Sequence, residues 1–571
     1  MQEFKKEIER GRALHRQGKL KEAMAIYREV IGQIPAHPEA RHLYGVALLQ
    51  SGDHQRAEEE LRQAIAEKKN DPNYFNNLAS AVAAGERPEE ALDILETALS
   101  LDRAHVPSLS GKGSLLLSIG NLKDAETVYR SLVEIEPENL LALNNLAIIL
   151  ARTNRPEEAV ELFQRCAEGP NAMAEVFSNL ARTLEILNKS EESRAACEEA
   201  LKRDLGQVDA KLVKCRLLRR DEKFEEARAV YEDVLAKPLP DGERASAFYH
   251  FGQVLDRLGD AEAAYDAFAK GNELTSTLPG FDACDPERYL DRVRRNRRWF
   301  DREKITRLAL DPEPAIAPPV FFVGFPRSGT TLMEQTLAAH PSIVTTSERS
   351  PLEHMRQLVV ERTGKSGPFP DLLDTWTPRD LSEIRDAFWV DAKQRLELKP
   401  DLIMVEKSPL NISELRFANI LFPTGKAIVA LRDPRDVCLS CFMQNFGASD
   451  AMSNFLTYQQ SARAYNEVME LWLHYRDSLT MPVFEYRYEE LVQEFSEIIG
   501  GVLEFLGLPW TEEIEWYREK AQDRFIPTPS YRDVTSELYT RACGRWSRYE
   551  QSIGDSLADL SAIAGRLGYE S

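Results

Sequence analysis

The chain has 571 residues, of which 43% are hydrophobic and 29% are charged, and its formal net charge is −21. This length exceeds what one hydrophobic core usually serves, so we expect at least two domains. The acidic balance argues against a nucleic-acid-binding protein. No stretch approaches the roughly 20 apolar residues of a membrane span, and the first residues lack the apolar core of a signal peptide.

Cysteine usage points to a reducing compartment. The sequence contains seven cysteines. Such an odd, sparse set does not suit a disulfide framework or a structural zinc site. Together with the missing span and signal peptide, it predicts a cytoplasmic protein that binds neither a membrane nor nucleic acid.

The first half of the chain carries an internal repeat with a period of 34 residues. A small residue recurs at this step, with an offset of three residues at the last copy: Ala23, Ala57, Ala91, Ala125, Ala159, Ser193, Ala227 and Ala264. Glycine recurs five residues before it: Gly18, Gly52, Gly120 and Gly259. A large residue recurs four residues after it: Tyr27, Leu61, Leu95, Tyr129, Phe163, Tyr231 and Phe268. The small residue lets two antiparallel helices approach, the large one fills the groove beside it, and glycine opens the turn.

These columns resemble the tetratricopeptide repeat and predict an all-α solenoid over residues 4–278. Eight units fit: 4–37, 38–71, 72–105, 106–139, 140–173, 174–207, 208–241 and 245–278. Arrays of this kind usually present a binding surface, so we expect a protein or peptide partner.

Three asparagines, Asn77, Asn145 and Asn179, occupy one column on the first helices of their units. A side-chain amide there can both donate to and accept from a peptide backbone. The column resembles part of the asparagine ladder of O-linked N-acetylglucosamine transferases, which implies a peptide held by these residues. Gly111 interrupts the column, so the alternative that asparagine is simply frequent at this position stays open.

Residues 279–319 break the period and predict a linker between two domains. Five arginines lie between Arg292 and Arg298, and four prolines follow between Pro312 and Pro319. The basic run favours a solvated connecting helix over an anion site, and the prolines cannot continue that helix.

The second domain, residues 320–571, begins with the pattern strand, glycine loop, helix. The apolar run at 320–323 leads into Gly324-Phe325-Pro326-Arg327-Ser328-Gly329-Thr330-Thr331. Backbone N–H groups of such a loop, with the helix N-terminus, face an anion. The spacing is that of the loop GxxxxGK[ST], but Thr330 replaces the lysine that a nucleoside triphosphatase needs. A nucleotide kinase is therefore disfavoured, and a different phosphate donor is expected.

A second phosphate element follows about a hundred residues later. The strand run at 427–431 ends at Arg432, and Ser440 lies eight residues further on. An arginine at the carboxyl end of a strand and a serine two turns into the next helix can grip one phosphate together.

With both elements in place, residues 320–549 resemble the sulfotransferase family, most closely the tyrosylprotein sulfotransferase branch and its bacterial relatives with tetratricopeptide repeats. The resemblance implies an α/β domain with a P-loop-like parallel sheet and 3′-phosphoadenosine 5′-phosphosulfate as the co-substrate, without a metal. It implies that the 5′-phosphosulfate is bound by Arg327, Ser328, Gly329, Thr330 and Thr331, the 3′-phosphate by Arg432 and Ser440, and the adenine by Tyr488. It also implies a basic segment that closes over the nucleotide, here with Arg541 and Arg545. Gln444 stands where the branch has another arginine, and Gly544 stands near the position of a family serine.

The resemblance further implies the catalytic groups. Glu348 lies 21 residues after Arg327, at the position of the general base, and Lys407 lies 25 residues before Arg432, at the position of the catalytic lysine. Arg327 and Lys407 would neutralise charge on the sulfonate and the bridging oxygen. The structural alternatives are that Glu348 forms an ion pair with the neighbouring Arg349 and that Lys407 forms one with Glu406. His354 is the candidate base of a rival mechanism.

We therefore expect a sulfotransferase whose acceptor is a hydroxyl, most directly a tyrosine of a protein or peptide held by the repeats. A glycan, a lipid or a small phenol would use the same donor chemistry and stays an alternative. A repeat scaffold with a non-catalytic nucleotide-binding domain is a further alternative, against which the intact set of motif residues counts. The oligomeric state is open, with a homodimer among the options.

Overall fold

A computed structural model describes residues 2–169, 172–311, 317–346, 348, 350–363, 368–396, 398–399, 402–517, 542–554 and 556–569. The chain divides into two compact units, Met1–Val234 and Leu235–Ser571. The first is helical, and the second contains a parallel sheet, so the predicted fold class is confirmed. Among the described helices, none combines the length and apolar character that crossing a membrane requires.

The first unit consists of consecutive helices joined by short turns. Its described helices are α1 (Gln2–Arg16), α2 (Leu20–Gln33), α3 (Pro38–Gln50), α4 (His54–Glu67), α5 (Pro72–Ala84), α6 (Pro88–Leu101), α7 (Val106–Ser118), α8 (Leu122–Ile135), α9 (Leu140–Arg152), α10 (Pro156–Ala167), α11 (Ala174–Ile186), α12 (Ser190–Arg203), α13 (Val208–Arg220) and α14 (Phe224–Leu235). Their order reproduces the predicted helix pairs.

The repeat columns explain how the helices of a pair pack. The small residues are fully buried. Where the first helix carries a glycine in its packed face, the large residue of the second helix lies against it. A Cβ added at Gly45 would press on Leu61, and one added at Gly113 would press on Tyr129. Ser193, which stands in the alanine column, donates its hydroxyl to the Ala181 carbonyl at 2.7 Å and so leaves no unsatisfied group there.

The turn between paired helices has the same left-handed backbone whether or not glycine is present. The glycines of the column have φ between 75° and 85°, and the other residues that occupy this position, with φ between 58° and 61°, are Glu86, Asn154, Asn188 and Glu222. A left-handed conformation costs a non-glycine residue about 1 kcal/mol. Packing of the helix pair therefore requires the left-handed turn, and glycine only lowers its conformational cost.

The second unit begins with one more helix pair and ends with an α/β domain. Its described helices are α15 (Asp241–Leu258), α16 (Ala261–Ser276), α17 (Pro286–Trp299), α18 (Arg302–Leu308), α19 (Thr330–Ala339), α20 (Pro351–Thr363), α21 (Pro378–Arg395), α22 (Leu415–Leu421), α23 (Pro434–Phe442), α24 (Tyr458–Tyr475), α25 (Tyr488–Gln493), α26 (Phe495–Leu506), α27 (Glu550–Ile553) and α28 (Ser556–Arg566). Its strands are β1 (Val320–Gly324), β2 (Ile343–Thr345), β3 (Ile403–Lys407), β4 (Lys426–Leu431) and β5 (Val483–Arg487).

The five described strands are parallel and follow the order β2-β3-β1-β4-β5. Both faces are covered, since Phe321 and Val323 join one hydrophobic cluster and Val320 and Phe322 join another. Strand β1 lies between β3 and β4, where the winding of the chain reverses. Ligands of open α/β sheets bind at this switch point, outside the carboxyl ends of the strands.

Helices α15 to α17 share the core of the α/β domain. The pair α15–α16 corresponds to the eighth predicted repeat, and its Tyr249 and Phe268 belong to the same cluster as Leu290 of α17. Helix α17, which the basic run predicts as a solvated connection, buries one face, and its Arg294 pairs with Glu467 at 2.9 Å. Pro312 and Pro314 of the predicted linker lie outside the described residues.

Candidate active site

The phosphate loop joins β1 to α19 at the switch point. Gly324 ends β1 where a Cβ would lie 2.7 Å from the Ala430 carbonyl oxygen, so only glycine permits this strand spacing. Arg327 and Gly329 have left-handed φ values of 70° and 84°, which fold the loop back before α19 begins at Thr330. A tight loop that ends at a ten-residue helix is suited to an anion.

Two arginines, a serine and a tyrosine meet beside this loop. The Nε of Arg327 donates to the Ser440 hydroxyl at 3.0 Å. Arg432 donates to the Arg327 carbonyl oxygen at 2.8 Å, and its guanidinium lies 4.8 Å from the ring centroid of Tyr488. The Tyr488 ring covers Gly329, where any Cβ would collide with it. We call Arg327, Arg432, Ser440 and Tyr488 the arginine cluster.

Arg432 of the arginine cluster is buried. Arg432 is 6% exposed, and its Nε has no hydrogen-bond partner within the described part of the chain. A buried N–H group of a guanidinium that lacks an acceptor is destabilising, and an anion placed beside the Nε would supply one. These residues therefore fit the 3′-phosphate that the resemblance implies.

Lys407 and Glu348 meet at the carboxyl end of β3. The Lys407 side chain is fully buried, and its ammonium pairs with Glu348 and, at 3.2 Å, with Glu334. Glu348 lies on a turn with φ 66°, and its side chain is 45% exposed. The structure thus brings the predicted base and the predicted lysine together, with the base open to solvent.

Glu334 is the site residue that sequence reasoning misses. It lies in α19, its side chain is 2% exposed, and burial raises the pKa of its carboxyl, while the Lys407 ammonium opposes that rise. The available signal was an acidic residue within the buried run that follows the phosphate loop. Its position makes Lys407 the centre of a group with two carboxylates.

Glu406 holds the turn that carries Glu348. Its carboxylate accepts from the Ser350 hydroxyl and from the Asn411 amide at 3.0 Å, and Asn411 also donates to Ser350 at 2.7 Å. Burial raises the pKa of Glu406 to about 7. Glu406 therefore serves the turn, whereas the ammonium of Lys407 pairs with Glu334 and Glu348.

Other predicted residues lie elsewhere. His354, in α20, has its Nδ1 3.2 Å from a carboxylate oxygen of Asp391 in α21. The guanidinium of Arg545 pairs with Asp256 of α15 at 2.9 Å. Arg349 and Arg541 lie outside the described residues.

The three asparagines of the repeat column lie on α5, α9 and α11. Their amides contact other side chains: Asn77 and His42 at 2.8 Å, Asn145 and Tyr129 at 2.9 Å, Asn179 and Arg182 at 3.0 Å. Each amide offers two donor hydrogens and an acceptor oxygen, so one such contact does not exhaust its hydrogen-bonding capacity.

Comparison with known proteins defines the class. Residues 318–512 match the model of a sulfotransferase family. Tetratricopeptide-repeat models match residues 14–82, 110–172, 178–242 and 212–273. The chain therefore combines tetratricopeptide repeats with a domain of the sulfotransferase family, and both predicted resemblances are confirmed.

Individual relatives agree with this class. An uncharacterized protein of Aquifex aeolicus is 26% identical over 412 residues, which are 71% of this chain and 52% of that protein. Protein-tyrosine sulfotransferase 2 of Gallus gallus is 26% identical over 273 residues, 44% of this chain and 70% of that protein. The protein-tyrosine sulfotransferase of Drosophila melanogaster is 23% identical over 265 residues, 44% of this chain and 52% of that protein.

The chain spans about half the length of the Aquifex and Drosophila relatives. Among solved structures, that of Pseudomonas aeruginosa pilF aligns with 37% of this chain and 97% of its own, at a TM-score of 0.35 and 16% identity.

Proposed function

We propose that this chain transfers the sulfuryl group of 3′-phosphoadenosine 5′-phosphosulfate to an acceptor hydroxyl. The observation that carries the proposal is the buried Arg432, with its unpartnered Nε among the described residues, in a domain that also pairs Lys407 with Glu348. Arg327 and loop residues 328–331 would hold the 5′-phosphosulfate, Arg432 and Ser440 the 3′-phosphate, and Tyr488 the adenine. Arg541 and Arg545 stay predicted nucleotide contacts.

Sulfuryl transfer resembles phosphoryl transfer in having a loose, in-line transition state, so positioning and charge compensation supply most of the catalysis. Glu348 accepts the proton of the acceptor hydroxyl, which for a tyrosine has an ordinary pKa near 10. Arg327 and Lys407 compensate the charge that develops as the donor bond breaks. Once Glu348 is protonated, Glu334 remains as the counter-charge of Lys407.

The acceptor that we propose is a tyrosine of a protein or peptide bound by the repeats. Two observations support it: relatives that align with 44% of this chain are named protein-tyrosine sulfotransferases, and repeat models match most of the first unit. A small acceptor would have no use for so extended a surface.

Calorimetry with adenosine 3′,5′-bisphosphate tests the donor site. Arg432→Ala should weaken this ligand by about 10- to 150-fold, since charge-assisted hydrogen bonds contribute about 1.5–3 kcal/mol. The affinity for adenosine 5′-phosphate should fall much less. Neither affinity should change when a chelator removes divalent metals. Arg463→Ala, at a half-exposed arginine of α24, is the control. Equal losses for the two nucleotides would contradict the assignment of Arg432.

Steady-state kinetics test the acceptor. Replacing Asn77, Asn145 and Asn179 together by alanine should raise KM for a long peptide, because remote binding energy is lost. A small phenol should react at an unchanged rate, and donor affinity should stay intact. A triple variant that processes the peptide acceptor with normal kcat/KM would show that this column does not bind it.

A further inference from the structure

We propose that the helix pair α15–α16 is an integral part of the donor's 3′-phosphate site, with Asp256 as its positioning residue. This inference rests on the proposed function. It concerns residues 542–549, which we call the closing segment, and helix α23, which carries Ser440. Both elements are attached to the helix pair within the second unit.

Asp256 attaches the closing segment to α15. This buried carboxylate accepts from the Tyr549 hydroxyl at 2.7 Å and from Arg548 at 2.9 Å, and it pairs with Arg545 at 2.9 Å. Three donors within five residues therefore converge on one side chain. Charge-assisted hydrogen bonds of this kind are about twice as strong as neutral ones.

The closing segment also contacts the donor site itself. Asp436 of α23 accepts from the backbone N–H groups of Gly544 at 2.6 Å and Trp546 at 2.8 Å. The Ala542 carbonyl accepts from Arg432 at 2.6 Å. This segment therefore helps to position the Arg432 guanidinium, together with the Arg327 carbonyl and the Tyr488 ring.

Helix α16 fixes the same site from a second direction. The buried Asn272 donates to the carbonyl of Phe442 at 2.9 Å, and Phe442 is the last residue of α23, two residues beyond Ser440. The ring of Tyr265 stacks on Phe442 with 4.7 Å between centroids. The helix pair therefore holds both groups assigned to the 3′-phosphate, Arg432 through the closing segment and Ser440 through α23.

A preorganised site binds more tightly because less ordering accompanies binding. Releasing the closing segment from Asp256 should therefore lower affinity for a ligand with a 3′-phosphate and spare one without it. Coupling between two sites is reciprocal, so the 3′-phosphate should in turn stabilise α15 and α16. A purely structural role of Asp256 would instead affect both kinds of ligand alike.

The test compares adenosine 3′,5′-bisphosphate with adenosine 5′-phosphate by calorimetry on the full chain. Asp256→Asn should weaken the bisphosphate by about 10-fold, within the usual range of coupling between sites, and leave the monophosphate nearly unchanged. Asp266→Asn, which removes the same charge from an exposed position of α16, is the matched control and should change neither affinity. Tyr549→Phe removes one of the three contacts. It should weaken the bisphosphate by a smaller factor and again leave the monophosphate nearly unchanged. This variant keeps the test available if Asp256→Asn does not fold.

Hydrogen exchange supplies a second measurement. The bisphosphate should slow exchange of α15 and α16 amides in the wild type and in Asp266→Asn, and less so in Tyr549→Phe. If Asp256→Asn and Tyr549→Phe leave the ratio of the two affinities at its wild-type value, even by weakening both nucleotides equally, the inference is overturned. The proposed function would still stand. A wild-type chain that binds neither nucleotide would overturn the proposed function and this inference with it.

Discussion

Glu348→Gln is expected to lower kcat by about 100- to 10,000-fold, the range that general bases contribute. The amide keeps the shape of the side chain but cannot take up the proton of the acceptor hydroxyl. Because Glu348 lies outside the arginine cluster, the affinity for adenosine 3′,5′-bisphosphate should stay near its wild-type value. Single-turnover transfer from labelled donor measures the first effect, and calorimetry measures the second.

His354→Ala is the comparison that decides between the two candidate bases. His354 lies against Asp391, and its side chain is 43% exposed, so most of the turnover should survive its removal. The reverse pattern, an active Glu348→Gln and an inactive His354→Ala, would assign proton abstraction to the histidine. Loss of bisphosphate binding in Glu348→Gln would place Glu348 in the donor site.

The repeats are predictable because each of their columns reports a local relation. A small residue and a large one four positions later lie on the same face of one helix, so the 34-residue period reveals both at once. Glu86 and Glu222 show the limit of this reasoning. They adopt the left-handed turn that glycine marks in other repeats, and only the packing of the finished helix pair requires it.

The loop, Arg432, Glu348 and Lys407 could be found from motif spacing, whereas Glu334 and Asp256 could not. Glu334 pairs with a lysine 73 residues later, and Asp256 with an arginine 289 residues later. Nothing near Asp256 in the sequence distinguishes it from the many acids of solvated helix faces, and the buried run around Glu334 does not reveal which residue it pairs with. Their roles follow from burial and from partners that only the tertiary structure supplies.

Lys407→Met is expected to lower kcat by about 100- to 1,000-fold, the usual effect of removing one group that stabilises a developing negative charge. It should also destabilise the fold by about 3–5 kcal/mol, because Glu334 is left buried without its counter-ion. Burial raises the pKa of Glu334, so the folded state holds its proton more tightly than the unfolded chain does. The loss of stability should therefore be small at low pH and grow as the pH rises and the carboxyl ionises.

Adding Glu334→Gln to Lys407→Met separates stability from catalysis. The second substitution removes the buried charge, so denaturant unfolding should show most of the stability restored and its dependence on pH flattened. The rate of transfer should stay low, because the ammonium that compensates the sulfonate charge is still missing. A double variant that regained activity would show that Lys407 acts through stability alone. If Lys407→Met alone has the same free energy of unfolding as the wild type, the buried Glu334 carboxylate is not stabilised by Lys407. The pairing of these two residues at the end of β3 would then contribute nothing to stability.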